Sequence, residues 1–310
     1  VRPNIIALGL LVATVFFGLY LLASGGRAPK PGALAPAAPM TAGERPIPPL
    51  PPGVSVRPPR FDILRIDPAG GGAAQGRAEP LARVTLKTEA GQSLGEGSAD
   101  ERGEWVILIT AALPPGDHCL QLVAEMPDGR GVQSPEQAVV ALPQKPEGHP
   151  LVVLMSPDAA SEVLQSPEGP ETRSLCLEAV DQDEAGALRL GGRADPGHGL
   201  RVYADDHFLA QTQSDDEGRW QLALTAGALG PGAHRIRLDV LREDGTVGRR
   251  LEAPFEGLAT STGKPVKAEA APPAASIESD GDVWRITRRD GRLAERQTVI
   301  YGQGAGTLLD

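Results

Sequence analysis

Two stretches of this chain repeat each other at a nearly constant distance, and that constrains the fold more than any other feature. Gly76-Arg77-Ala78-Glu79-Pro80 returns as Gly192-Arg193-Ala194-Asp195-Pro196, and Asp100-Glu101-Arg102-Gly103-Glu104-Trp105 returns as Asp215-Asp216-Glu217-Gly218-Arg219-Trp220. Pro115-Gly116-Asp117-His118 returns as Pro231-Gly232-Ala233-His234, and Asp128-Gly129 as Asp244-Gly245. Landmarks held in step over such a span describe a duplicated module of about a hundred residues, each copy large enough to bury its own core.

The first module, residues 60–142, alternates apolar and polar residues in Phe61-Asp62-Ile63-Leu64, Arg83-Val84-Thr85-Leu86-Lys87 and Trp105-Val106-Ile107-Leu108-Ile109. Turn residues at Pro68–Gly72, Asp100–Gly103, Pro114–Gly116 and Pro127–Gly129 separate these runs. Short period-two runs with frequent turns predict an antiparallel β-sandwich of immunoglobulin-like type. The second module, residues 174–256, reads the same way. The connector 143–173 carries two short apolar runs, Leu151–Met155 and Val163–Leu164, that suit a hairpin covering a sheet edge. Trp105 and Trp220 open the same strand in both copies, which places them in the cores, where a large ring fills the space between sheets.

The ends differ in composition from the modules. Ile5–Ser24 carries no charge over some twenty residues, the length of a membrane-spanning helix, so segment 1–26 is expected to be a transmembrane anchor. A cleaved signal peptide is the competing reading. Residues 27–59 are one-third proline and predict an extended stalk. Residues 257–276 form a second linker rich in Ala, Pro and Thr.

The net charge of −10 excludes a nucleic-acid partner, because phosphate binding needs a basic face. The acidic clusters around Asp181, Asp205 and Asp215 sit at turn spacing, but Arg102 of the first copy takes the place of Glu217 in the second. A calcium loop shared by both copies would not accept an arginine there, so no metal is expected. The five histidines show no metal-ligand spacing, and no nucleophile elbow, phosphate loop or dinucleotide fingerprint is present. No cofactor and no catalytic activity are expected. Cys119 and Cys176 occupy non-equivalent places in the two copies. They are read either as buried small apolar residues or as a bond between the modules.

The tail, 277–310, holds the most specific motif. Gly281-Asp282-Val283-Trp284-Arg285-Ile286-Thr287-Arg288-Arg289, followed by Thr298-Val299-Ile300-Tyr301, resembles the opening of a LysM domain. The closing Asn-Pro-x-x-Ile strand of that family is absent. The resemblance implies a helical remnant capped by Asp282 and packed by Trp284 and Ile286, with Tyr301 marking a second helix. These four residues would contact the N-acetylglucosamine chains of peptidoglycan. The expected whole is all-β: two tandem sandwiches with an amino-terminal transmembrane helix and a short α-helical LysM-like end. It would be a non-catalytic, single-pass inner-membrane protein with its bulk in the periplasm. The alternatives are a periplasmic protein–protein scaffold with an inert tail, which would meet an envelope protein partner, or an accessory subunit of a cell-wall enzyme.

Overall fold

The computed structural model describes residues 56–145, 148–169, 174–258, 275–290, 293–303 and 305–309. The first module contains β1 (Arg60–Ile66), β2 (Gly72–Arg77), β3 (Arg83–Thr88), β4 (Ser93–Ser98), β5 (Glu104–Ile109), β6 (Gly116–Glu125) and β7 (Gly131–Leu142). The connector supplies β8 (Leu151–Met155) and β9 (Glu162–Gln165). The second module repeats the series as β10 (Cys176–Asp183), β11 (Leu188–Arg193), β12 (Gly199–Ala204), β13 (His207–Gln213), β14 (Arg219–Leu224), β15 (Gly232–Leu241) and β16 (Val247–Gly257). The tail adds β17 (Ala275–Asp280), β18 (Val283–Asp290), β19 (Leu293–Tyr301) and β20 (Thr307–Leu309). Among the described residues there is no helix.

Each module is an immunoglobulin-like sandwich. In the first, the sheet β1-β2-β5 faces β4-β3-β6-β7, and the latter is extended by β8 and β9. In the second, β14-β11-β10 faces β13-β12-β15-β16. There the tail extends both sheets, with β19-β18-β17 added beside β10 and β20 beside β16. All pairings are antiparallel, and the strand next to the repeated glycine is bulged in both copies, between Phe61 and Ile63 and between Leu177 and Ala179.

The repeated motifs are the sandwich's fixed points. Trp105 and Trp220 are 1% and 2% exposed, and Trp105 meets Phe61 edge-on with ring centroids 6.2 Å apart. Each indole fits because the facing residue of the neighbouring strand is glycine. A Cβ on Gly76 would lie 2.7 Å from Trp105 Cζ2 and 1.9 Å from the Arg60 carbonyl, and one on Gly192 would lie 3.0 Å from Trp220 Cζ2. The Asp-x-x-Gly turn is locked by its own side chain: Asp100 Oδ1 accepts from the Arg102 and Glu104 amides at 2.8 and 2.9 Å. Asp215 Oδ1 does the same with Glu217 and Arg219 at 3.0 and 2.7 Å. Gly103 and Gly218 then turn through positive φ, 84° and 76°, where L side chains are strained. Their carbonyls accept from the amides of Ala78 and Ala194, tying this turn to the Arg-Ala-x-Pro loop. The two motifs recur together because they are two sides of one contact.

The tail departs from expectation. Residues 283–290 form a strand, not a helix, hydrogen-bonded between β17 and β19. Val283-Trp284-Arg285-Ile286-Thr287 alternates with period two and is rich in β-branched and aromatic residues, which suits a pleated, half-buried surface. Asp282 caps no helix. It lies in the hairpin turn beside Gly281, whose φ is +58°, and its carbonyl accepts from the Gly302 amide. Tyr301 ends a strand rather than marking a second helix. Without helices the LysM resemblance fails, and with it the reason to expect peptidoglycan as a partner.

The membrane helix expected at 5–24 lies outside the described residues. Among the described residues no helix is long and apolar enough to cross a membrane. The single-pass inner-membrane placement, and the membrane as a partner, find no support among the described residues.

Candidate functional site

The most elaborate side-chain arrangement lies where the modules, the connector and the tail meet. Each module has its own apolar core, and a third cluster stands between them. It joins Val139 of β7 and Leu151, Val153 and Met155 of β8 to Ala179 of β10, Ile286 of β18 and Ile300 of β19. Strand β8 is buried along its whole length, with Val152 and Leu154 facing the first module's core and its other three residues facing this cluster. A continuous apolar run is what a strand covered on both faces requires. Strand β19 behaves likewise: Val299 and Tyr301 enter the second module's core while Ile300 turns to the junction.

A buried polar network holds the same junction. Asp181 on β10 is 1% exposed. It accepts from the Ser161 amide and hydroxyl, both at 2.7 Å, and from the Thr298 hydroxyl. Arg296 of β19 lies 3.1 Å from the same carboxylate and donates to the Ser156 carbonyl at 2.6 Å. One carboxylate thus ties connector, second module and tail. The tail also reaches the first module, where the Ile277 amide donates to Asp117 on β6 at 3.2 Å and Arg288 approaches Glu89 at 3.9 Å.

The four residues suggested by sequence take different positions around this junction. Ile286 is fully buried within it. Tyr301 is buried in the second module's core, and its hydroxyl donates to the Pro254 carbonyl at 2.8 Å; burial raises its pKa. Trp284 is half-buried and, with Tyr301, lines a cavity of about 540 Å³ bounded also by Arg65, Gln165, Glu178 and Arg193. Asp282 stays at the exposed hairpin turn and does not line it. In the cavity wall Arg193 donates to Glu178 at 3.0 Å, and Arg65 donates to the Leu164 carbonyl.

No family model matches the sequence, and no curated protein matches it. Several solved structures match loosely. A BSP domain of a biofilm-associated protein shares 10% identity over 67% of this chain, with a TM-score of 0.21; this chain covers 30% of that one. Fibronectin(III)-like modules of Clostridium thermocellum CbhA share 12% identity over 67% of this chain and 98% of theirs, with a TM-score of 0.21. A tetra-tandem repeat from the extending region of a large adhesion protein shares 10% identity over 80% of this chain and 88% of its own, again at 0.21. At such scores the likeness carries no weight for fold or function, and the architecture above rests on its own strand order.

Many polar side chains of the described residues serve the fold itself. Acidic residues such as Asp100, Asp215 and Asp239 close turns or pair with arginines, and His118, His198, His207 and His234 each lie against a backbone carbonyl. Among the described residues no three His, Cys, Asp or Glu side chains are grouped to hold a metal. Asp205, in the β12–β13 turn, accepts from the Arg235 amide on β15, and Asp215, in the β13–β14 turn, accepts from the nearby Glu217 and Arg219 amides. Cys119 and Cys176 are buried, and neither forms a disulfide.

One histidine carries a pH dependence that sequence did not suggest. His234 Nδ1 lies 2.7 Å from Asp205 Oδ2, and its Nε2 lies 2.9 Å from the Gly230 carbonyl. Both partners are acceptors, and a neutral imidazole has a single donor, so the geometry selects the imidazolium. The Asp205 hydrogen bond accordingly raises the His234 pKa, and the Asp205 pKa is lowered in return. A raised folded-state pKa stabilises fully below the unfolded value of about 6.5 and loses that contribution as pH climbs through the folded value. The urea midpoint of the second module should therefore fall from pH 6 to pH 9, and His234→Gln should flatten that slope. An equal slope in the variant would refute the assignment.

Proposed function

We propose that this chain is a non-catalytic protein scaffold: two sandwich modules held as one stiff body that presents partner-binding surfaces at a fixed separation. The third apolar cluster is the observation that carries the reading. Tandem modules joined only by a linker keep separate cores and move independently. Here the connector is spent on β8 and β9, and the tail is spent on a sheet that touches both modules. The tail is thus a structural clasp rather than a ligand-binding appendage.

Spin labels on Arg102→Cys in the first module and Glu217→Cys in the second, both exposed turn positions, test the rigidity. Pulsed dipolar measurements should return a single narrow distance distribution. A broad or bimodal distribution would mean hinged modules and would reject a stiff scaffold.

A further inference from the structure

The two modules differ at one seam. In the first, β4 closes on β5 because residues 95 and 97 are glycine: a Cβ on either would lie 2.4 Å from a β5 carbonyl, of Leu108 and Val106 respectively. The closure is completed by the Thr110 amide, which donates to the Leu94 carbonyl at 3.1 Å. Leu94, Ile107 and Ile109 are then buried, at 0%, 0% and 7% exposure. Strand register matches these positions with Ala210 and Thr212 for the glycines and with Leu209, Leu222 and Leu224 for the buried side chains. The added side chains stand where the glycines allowed contact. Across this seam the Thr212 hydroxyl donates to the Gln221 carbonyl at 2.9 Å. Leu209, Leu222 and Leu224 are left only partly buried against the second core.

Elsewhere strand edges are stopped by side chains. Glu136 accepts from the Phe61 amide, and the Gln165 amide group takes both the N–H and the carbonyl of Ile66. Asp117 takes the Ile277 amide, and Tyr301 and Gln297 take the Pro254 and Glu256 carbonyls. Such plugs are how sheets resist pairing with other chains. The β13–β14 seam combines an edge strand with unfinished burial of three leucines.

We propose that this seam receives an extended segment of a partner protein as an added strand, whose aliphatic side chains at alternate positions cover Leu209, Leu222 and Leu224. Main-chain hydrogen bonds to the edge would supply the affinity, and the leucines would select aliphatic residues two apart, as in other strand additions. On the outer face Phe208, 57% exposed, stacks edge-on against Tyr203 with centroids 5.6 Å apart and offers a shelf for a residue of the opposite parity. This deepens the scaffold reading by naming a surface and the chemistry of its partner. It does not depend on the modules being rigidly joined.

The probe is a capped seven-residue peptide of alternating valine and threonine, titrated into the ¹⁵N-labelled full chain. Amide shifts should change along β13 and β14, with a Kd below about 1 mM, and not along β4 and β5. The double variant Ala210→Gly, Thr212→Gly, which restores the first module's pattern, should bind at least about tenfold more weakly. In the free protein, β13 and β14 amides should exchange with solvent faster than those of β4 and β5. No binding at 1 mM, shifts at any other edge, or equal exchange in the two seams would overturn the proposal. Concentration-dependent shifts at the same amides without peptide would also overturn it, by assigning the seam to a second copy of the chain. The spin-label distances report separately on the scaffold, so either idea can fail without the other.

Discussion

Ending the chain at residue 274 should destabilise the whole protein, although it removes no residue from the repeated series of strands. The deletion strips β17–β20 and exposes Val139, Leu151, Val153, Met155 and Ala179 together. It also takes Val299 and Tyr301 out of the second module's core. Ile286, Val299, Ile300 and Tyr301 each contribute ~1.5–3 kcal/mol by burial, and the entropy regained by the freed tail offsets part of that. The net loss should be on the order of 5 kcal/mol. Calorimetry should show the full chain's transition lowered and divided, the first module melting above the second. Dye binding to the uncovered apolar face should rise. An unchanged melting profile would show that the tail merely rests on the modules.

Asp181→Ala should cost about 3–5 kcal/mol, measured from urea midpoints. The figure reflects what the deletion strands rather than what the carboxylate adds. Arg296 would lose its countercharge in a buried setting, and the Ser161 and Thr298 donors would lose their acceptor. Comparison with Asp100→Ala separates this from a general effect of removing an acid, because Asp100 works at an exposed turn. A loss at Asp181 no larger than at Asp100 would mean that the network is incidental to the junction.

Both results bear on what tandem modules do. A flexible pair explores many separations and binds two partners with an effective concentration set by its linker. A locked pair fixes the separation and presents both modules in one orientation. Here the connector and the tail become strands whose apolar residues close the junction, so the proposed stiffness would be encoded outside the repeats.

The repeats themselves were legible from sequence. The paired Gly-Arg-Ala-x-Pro and Asp-x-x-Gly-x-Trp motifs mark one local contact, and local contacts leave local signatures: a glycine facing an indole, an aspartate capping a turn, a glycine at positive φ. Alternation in β3 and β5 announced sandwich strands for the same reason, since one face of each is buried within its own module. Strand β2, Gly72–Arg77, was silent because its apolar residues are only alanine and glycine; it is held by neighbours on both sides. The tail misled because Asp282, Trp284 and Ile286 suit a capped helix as well as a hairpin, and short apolar runs do not choose between the two. That choice fell to β10, whose open edge and outer face at Ala179 reward a strand with backbone hydrogen bonds and a place for Ile300. The partnership of Asp181 with Ser161, Arg296 and Thr298 was equally invisible, because its members are 20, 115 and 117 residues apart in sequence. Sequence alone determined two sandwiches, since each carries its own core and turns. Only tertiary structure decided that they share a junction, because that depends on pairing between segments far apart in sequence.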